Sequence, residues 1–105
     1  MSETNTLKIY EKKIKGGKES YRYFFIRKEL QPLFDNLGVF TLNCSDGTHY
    51  SNLVVTKSGK VQRYFIFASE FFNEHPRIKK HDEFSFSINE GKRTIQITFP
   101  KTING

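Results

Sequence analysis

The sequence predicts a mainly β fold, a seven-stranded open β-barrel with two short helices. Three observations point to it. Apolar residues recur with period two through most of the chain, the period of a half-buried strand. Gly-bearing turns separate those runs. Only two short stretches depart from the alternation, one of them with a spacing near 3.6.

The first strand runs from Leu7 to Ile14 and the second from Tyr21 to Ile26, joined around Lys15-Gly16-Gly17-Lys18. Residues 28–37 then place Leu30, Leu33, Phe34 and Leu37 at helical spacing. Pro32 suits a first helical turn and Gly38 the stop. Phe40, Leu42 and Cys44 alternate with Thr41 and Asn43 as a third strand. Ser45-Asp46-Gly47 is a hairpin signal, so a fourth strand follows over about residues 48–55, ending in Leu53-Val54-Val55. Lys57-Ser58-Gly59-Lys60 is the next turn. In the fifth strand Val61, Arg63, Phe65 and Phe67 alternate with Gln62, Tyr64 and Ile66, and Val61, Phe65 and Phe67 read as its core face.

Ser69 suits the N-cap of a second helix over residues 69–75, with Glu70 in its first turn and His75-Pro76 ending it. Phe71 and Phe72 anchor that helix on the sheet. His81-Asp82 reads as a turn. Phe84, Phe86 and Ile88 alternate with Glu83, Ser85, Ser87 and Asn89 as the sixth strand. Ile95, Ile97 and Phe99 alternate with Thr94, Gln96 and Thr98 as the seventh. Asn89-Glu90-Gly91-Lys92 supplies the Gly of the hairpin between them. Pro100, lacking an N–H, ends the ladder.

A length of 105 residues holds one domain, expected over residues 7–100, with a disordered tail at 1–6 and a C-terminal tail at 101–105. Hydrophobic content of 36% with 11 Phe argues against a disordered chain. The apolar runs fall far short of the roughly 18–20 residues that span a bilayer. Met1 to Thr6 is polar and shows no signal-peptide region. The single cysteine, Cys44, excludes a disulfide framework or Cys-based zinc site within the chain and reads as a small buried hydrophobe. A reducing, cytoplasmic setting without a membrane partner fits best.

The net charge of +6 is unevenly placed. Residues 8–28 carry eight bases against two acids, and residues 54–64 carry Lys57, Lys60 and Arg63 with no acid. The remainder carries six bases and nine acids. Two concentrated basic segments suggest a polyanion partner.

Motifs for catalysis are weak. Glu11-Lys12-Lys13 matches the Glu-x-Lys piece of metal-dependent nucleases, but no Asp precedes it. His49, His75 and His81 form no metal-ligand spacing. Neither a nucleophile elbow nor a Gly-rich phosphate loop is present. The expectation is therefore no catalytic residue, no metal and no cofactor. Tyr64-Phe65-Ile66-Phe67 after Arg63 resembles the aromatic strand of RNA-recognition domains, leaving RNA or single-stranded nucleic-acid binding as the alternative function.

Two loops suit DNA. The first offers Lys15, Lys18, Ser20, Tyr21 and Arg22; the second offers Lys57, Ser58, Lys60, Gln62 and Arg63. Lysines suit phosphates, whereas Gln and Arg fit adenine and guanine edges. Lys12, Lys13 and Asn52 are candidates for further backbone contacts.

Arg63-Tyr64-Phe65-Ile66 followed by Ser69-Glu70-Phe71-Phe72, the segment from Arg77 to Phe86, and Tyr23-Phe24-Phe25-Ile26-Arg27-Lys28 together resemble the B3-like DNA-binding pseudobarrel. That family includes plant transcription-factor domains and recognition domains of bacterial restriction endonucleases. The resemblance covers roughly residues 7–99. Ala68-Ser69 stands where plant members carry Gly-Trp, and His81 where they carry Gly before Asp82, which favours the bacterial branch. The resemblance implies sequence-specific double-stranded DNA binding by two arms in the major groove, here residues 15–23 and 56–64. It also implies a recognition or effector domain of a restriction–modification protein, monomeric in isolation, with any nuclease activity in a fused or partner domain.

Overall fold

The computed structural model describes residues 5–13, 16, 20–60 and 62–100. Eight strands form one sheet: β1 Thr6–Lys13, β2 Ser20–Ile26, β3 Phe40–Cys44, β4 His49–Leu53, β5 Val55–Ser58, β6 Arg63–Ile66, β7 Glu83–Asn89 and β8 Thr94–Thr98. Their spatial order is β4-β3-β8-β7-β1-β2-β6-β5. All pairings are antiparallel except β3 with β8.

The edge strands β4 and β5 are separated in the chain by Val54 alone. Laid flat, eight strands at about 4.8 Å spacing would put those edges about 34 Å apart. One residue bridges about 7 Å. The sheet must therefore curl until its edges approach, which makes it a half-barrel around one core.

The expected fourth strand over 48–55 is two strands, which raises the count from seven to eight. Asn52 adopts a left-handed φ of 64°, a conformation Asn tolerates better than most residues. The β3–β4 register also shifts between Phe40 and Leu42. The chain thereby leaves the β4 edge and starts the opposite one. At the N-terminus, Asn5 and Thr6 belong to the sheet rather than to a tail: Phe86 N–H donates to the Asn5 carbonyl at 3.0 Å, and Thr6 pairs with Ser85. Residues 1–4 and 101–105 lie outside the described residues.

The first predicted helix is a 3-10 helix over Lys28–Leu33 followed by turns. Leu30 N–H donates to Arg27, Phe34 to Gln31 and Leu37 to Phe34, all one residue tighter than an α-helix. Pro32 inside the segment lacks an N–H to donate. Leu30, Phe34 and Leu37 are buried as expected, whereas Leu33 faces solvent. Helix α1 spans Ser69–Glu74, but its N-cap is Ala68, without a side-chain cap, and Ser69 is its first helical residue. In the β7–β8 turn the left-handed residue is Arg93 (φ 50°), not Gly91.

The inner face is apolar throughout: Leu7 and Ile9 on β1, Phe24 and Ile26 on β2, Phe84 and Phe86 on β7, Ile95 and Ile97 on β8. Helix α1 adds Phe71 and Phe72. Cys44 is buried, and burial pushes its thiol up to about 11, so it stays an unreactive thiol.

The parity of β6 is the reverse of the sequence expectation. Tyr64 and Ile66 are buried, Phe65 is half-buried, and Phe67 is 40% exposed. Register explains it. Ile66 pairs with Phe24 and Tyr64 with Ile26, both inner residues, whereas Phe65 pairs with Phe25. Cross-strand partners share a face, so Phe65 and Phe67 point outward. Val61 lies outside the described residues.

Among the described residues, no helix is long and apolar enough to cross a membrane.

Candidate nucleic-acid interface

Strands β1, β2 and β6 bury one face and present the other to solvent. The outer positions are Lys8, Tyr10 and Lys12 on β1, and Tyr21, Tyr23 and Phe25 on β2. Arg63 and Phe65 on β6, followed by Phe67, continue the face. Register sets Tyr10 beside Tyr23, Lys12 beside Tyr21 and Phe25 beside Phe65.

The rings form a connected floor. Centroids lie 5.0 Å apart for Tyr10–Phe25, 5.1 Å for Tyr23–Phe65, 5.6 Å for Tyr23–Phe67 and 5.9 Å for Tyr21–Phe67. Tilted and edge-on arrangements at such spacings suit ring quadrupoles. Elsewhere in the same sheet, the outer positions of β7 and β8 are Glu83, Ser85 and Ser87, and Thr94, Gln96 and Thr98. An ordinary solvent face of this protein is therefore polar, and the aromatic floor departs from it. A contiguous exposed apolar patch marks an interaction surface.

The floor lines a concavity of about 540 Å³. Lys12 stands at one end and Arg63 with Ser58 at the other, and among the described residues no carboxylate lines it. The hairpin tips lie at opposite ends of the floor. The β1–β2 tip follows Lys13, which pairs with Ser20, and the β5–β6 tip joins Ser58 to Arg63. Antiparallel pairing puts Tyr64 beside Ile26, the far end of β2 from Ser20. At about 3.3 Å per residue, β2 separates the two tips by about 20 Å. The Tyr23 hydroxyl is held above its usual pKa, first by burial and then by Tyr21 and Tyr10 nearby. It therefore stays neutral and able to donate a hydrogen bond.

The residues singled out in the sequence divide into groups. Lys12, Tyr21, Ser58 and Arg63 meet in the concavity. Lys13 and Lys60 are exposed beside it at the two hairpin tips, and Gln62 is exposed with a left-handed φ of 50°. The Gln62 carbonyl accepts from Gln31 Nε2 at 3.1 Å, fastening the β5–β6 tip to the 3-10 helix. The Ser20 hydroxyl donates to Glu11. Asn52 is exposed and shapes the β4–β5 break; it does not line the concavity. Lys15 and Lys18 lie outside the described residues.

Arg22 and Lys57 are engaged within the protein. The Arg22 guanidinium donates to the carbonyls of Phe72 at 2.9 Å, Ile78 at 2.6 Å and His75 at 3.4 Å, and lies over the Phe72 ring at 5.2 Å. It closes the C-terminal end of α1. Lys57 Nζ is 3.4 Å from Asp35 and 4.9 Å from the Tyr64 ring centroid. The Tyr64 hydroxyl donates to Asp35 at 2.6 Å, and this bond chiefly holds the Asp35 carboxyl below its usual range.

The sequence reading assigns Tyr10 and Phe25 no site role; Tyr23 falls within the first arm, residues 15–23, and Phe65 and Phe67 fall within the RNA-recognition-like strand but on its expected core face. A signal for them existed. Residues 23–26 and 64–67 are apolar on both parities, and a single sheet in a 105-residue chain has no second layer to cover its outer face.

Among the described residues no group of three or more His, Cys, Asp and Glu is placed to hold a metal ion. No family model, curated protein or solved structure matches the chain.

Proposed function

We propose that the chain is a DNA-binding domain without catalysis of its own. It holds double-stranded DNA across the β1–β2–β6 face, between the β1–β2 and β5–β6 hairpin tips. Its setting is recognition or effector binding in a restriction–modification protein, with any cleavage supplied by another domain. The observation that carries this reading is a concavity with no carboxylate among its described lining residues, with Lys12 at one end and Arg63 at the other. Such a site attracts a polyanion and repels few of its charges. The tips supply Lys13, Lys15, Lys18 and Lys60 for phosphates. Arg63 and Gln62 are the side chains suited to base edges.

The engagement of Arg22 and Lys57 lowers the expected phosphate count. Lys12, Lys13, Lys15, Lys18, Lys60 and Arg63 remain. At about 0.9 per neutralised phosphate, log K for a duplex should fall against log salt with a slope of about −5. Fluorescence anisotropy of a labelled duplex over a series of salt concentrations reads that slope. A flat response would remove the electrostatic basis of the proposal.

A further inference from the structure

We infer that the aromatic floor between the hairpin tips is a stacking site for an unpaired nucleobase. The inference rests on the nucleic-acid reading above and names what the face takes from the nucleic acid.

Tyr21 is 37% and Phe67 40% exposed, the two most open rings of the floor. Their centroids are 5.9 Å apart and both contact Tyr23, at 6.1 and 5.6 Å. These rings are not required to close the core, which lies on the other face of β2 and β6. In a paired duplex each base has its π-faces covered by its neighbours, and only its edges reach the grooves. A floor of rings has nothing to stack on there. An unpaired base offers a free π-face, and such bases stack on Tyr and Phe while cations follow the backbone. A smaller hollow beside Tyr21 and Phe67, lined also by Arg22, continues to Ser69 and Asn73 at the start and side of α1. Hydroxyl and amide groups there supply hydrogen-bonding partners for a base edge.

The charge framing decides the occupant. An apolar protein partner has no use for cations at both ends of the concavity, whereas a nucleic-acid strand crossing the face meets them with its phosphates. The unpaired base has two sources, a single strand or an extrahelical base in a duplex.

The test uses the full chain and three oligonucleotides of one sequence: a fully paired duplex, the same duplex with one bulged 2-aminopurine, and the single strand containing 2-aminopurine. Affinity and 2-aminopurine emission are read together. The protein has no Trp, and Tyr10, Tyr21 and Tyr23 are three of its five tyrosines, so tyrosine emission gives a second signal from the floor. Unpaired probes should bind more tightly than the paired duplex and show quenched emission. The double variant Tyr21→Ser, Phe67→Ser should lose about 5- to 150-fold for unpaired probes and markedly less for the paired duplex, with the salt slope unchanged. Its circular dichroism should match the parent, because both rings are exposed. A bulged probe bound more tightly than the single strand, or the reverse, supports the inference and identifies the source. Equal affinity for paired and unpaired probes, or no loss in the double variant, overturns the stacking site and leaves the DNA reading standing. No binding of any probe at low salt, with self-association lost in the double variant, overturns both and marks the face as a contact between two copies of the chain.

Discussion

Phe71→Ala is expected to lower stability by about 3–5 kcal/mol, the range for truncating a large aromatic in a packed core. Phe71 is fully buried. Its ring centroid lies 5.3 Å from Phe24, 5.1 Å from Phe72, 5.6 Å from Tyr50 and 4.6 Å from the His75 ring. Phe84 and Phe99 follow at 6.2 and 6.1 Å. It therefore joins α1 to β2, β4 and β7 at once. Domains of this size have about 5–15 kcal/mol in total, so the variant loses about a fifth of its stability or more. At about 4–8 °C per kcal/mol, thermal unfolding should show a midpoint lower by at least about 12 °C. A shift of only a few degrees would mean that α1 is not packed on the sheet as described.

Arg22→Ala carries the second large effect. Its guanidinium donates to the Phe72, His75 and Ile78 carbonyls at and just beyond the end of α1, where the His75 and Ile78 N–H groups reach Phe72 and His75 only at 3.3 and 3.2 Å. Charge-assisted hydrogen bonds of this kind contribute about 1.5–3 kcal/mol. The midpoint should fall by about 10 °C, and Arg22→Lys should recover little of it, because an ammonium cannot reproduce the planar fork. Below the unfolding transition the variant should keep the salt slope of the parent, since the Arg22 guanidinium is taken up by the Phe72, His75 and Ile78 carbonyls and does not line the larger concavity. Unchanged stability together with lost discrimination between DNA sequences would return Arg22 to the base-reading arm.

The legible parts of the fold are those where the two parities differ in chemistry. Along β7 and β8, Phe84, Phe86, Ile95 and Ile97 alternate with Ser85, Ser87, Gln96 and Thr98, so the buried face follows from the residues alone. Along β2 and β6 both parities are apolar, and hydrophobicity could not choose between Tyr64 with Ile66 and Phe65 with Phe67. Pairing with Phe24 and Ile26 chose, and that register is not local information. The β4–β5 break was hidden for a different reason: Leu53-Val54-Val55 is an unbroken apolar run, and nothing in it marks the left-handed turn of the backbone at Asn52. Charge counting found both hairpin tips of the candidate site. It could not find the commitments of Arg22 and Lys57. Their partners lie fifty or more and twenty-two residues away, and only the folded chain brings them together.

The claim that joins these observations is that the β1–β2–β6 outer face is the nucleic-acid surface. Amide chemical-shift mapping during titration with a short oligonucleotide at low salt tests it most directly. Perturbations should concentrate at Tyr10, Lys12, Tyr21, Tyr23, Arg63, Phe65 and Phe67, with Ser85, Ser87, Gln96 and Thr98 unmoved. Perturbations centred on the β7–β8 face, or none at any ratio of oligonucleotide to protein, would contradict it.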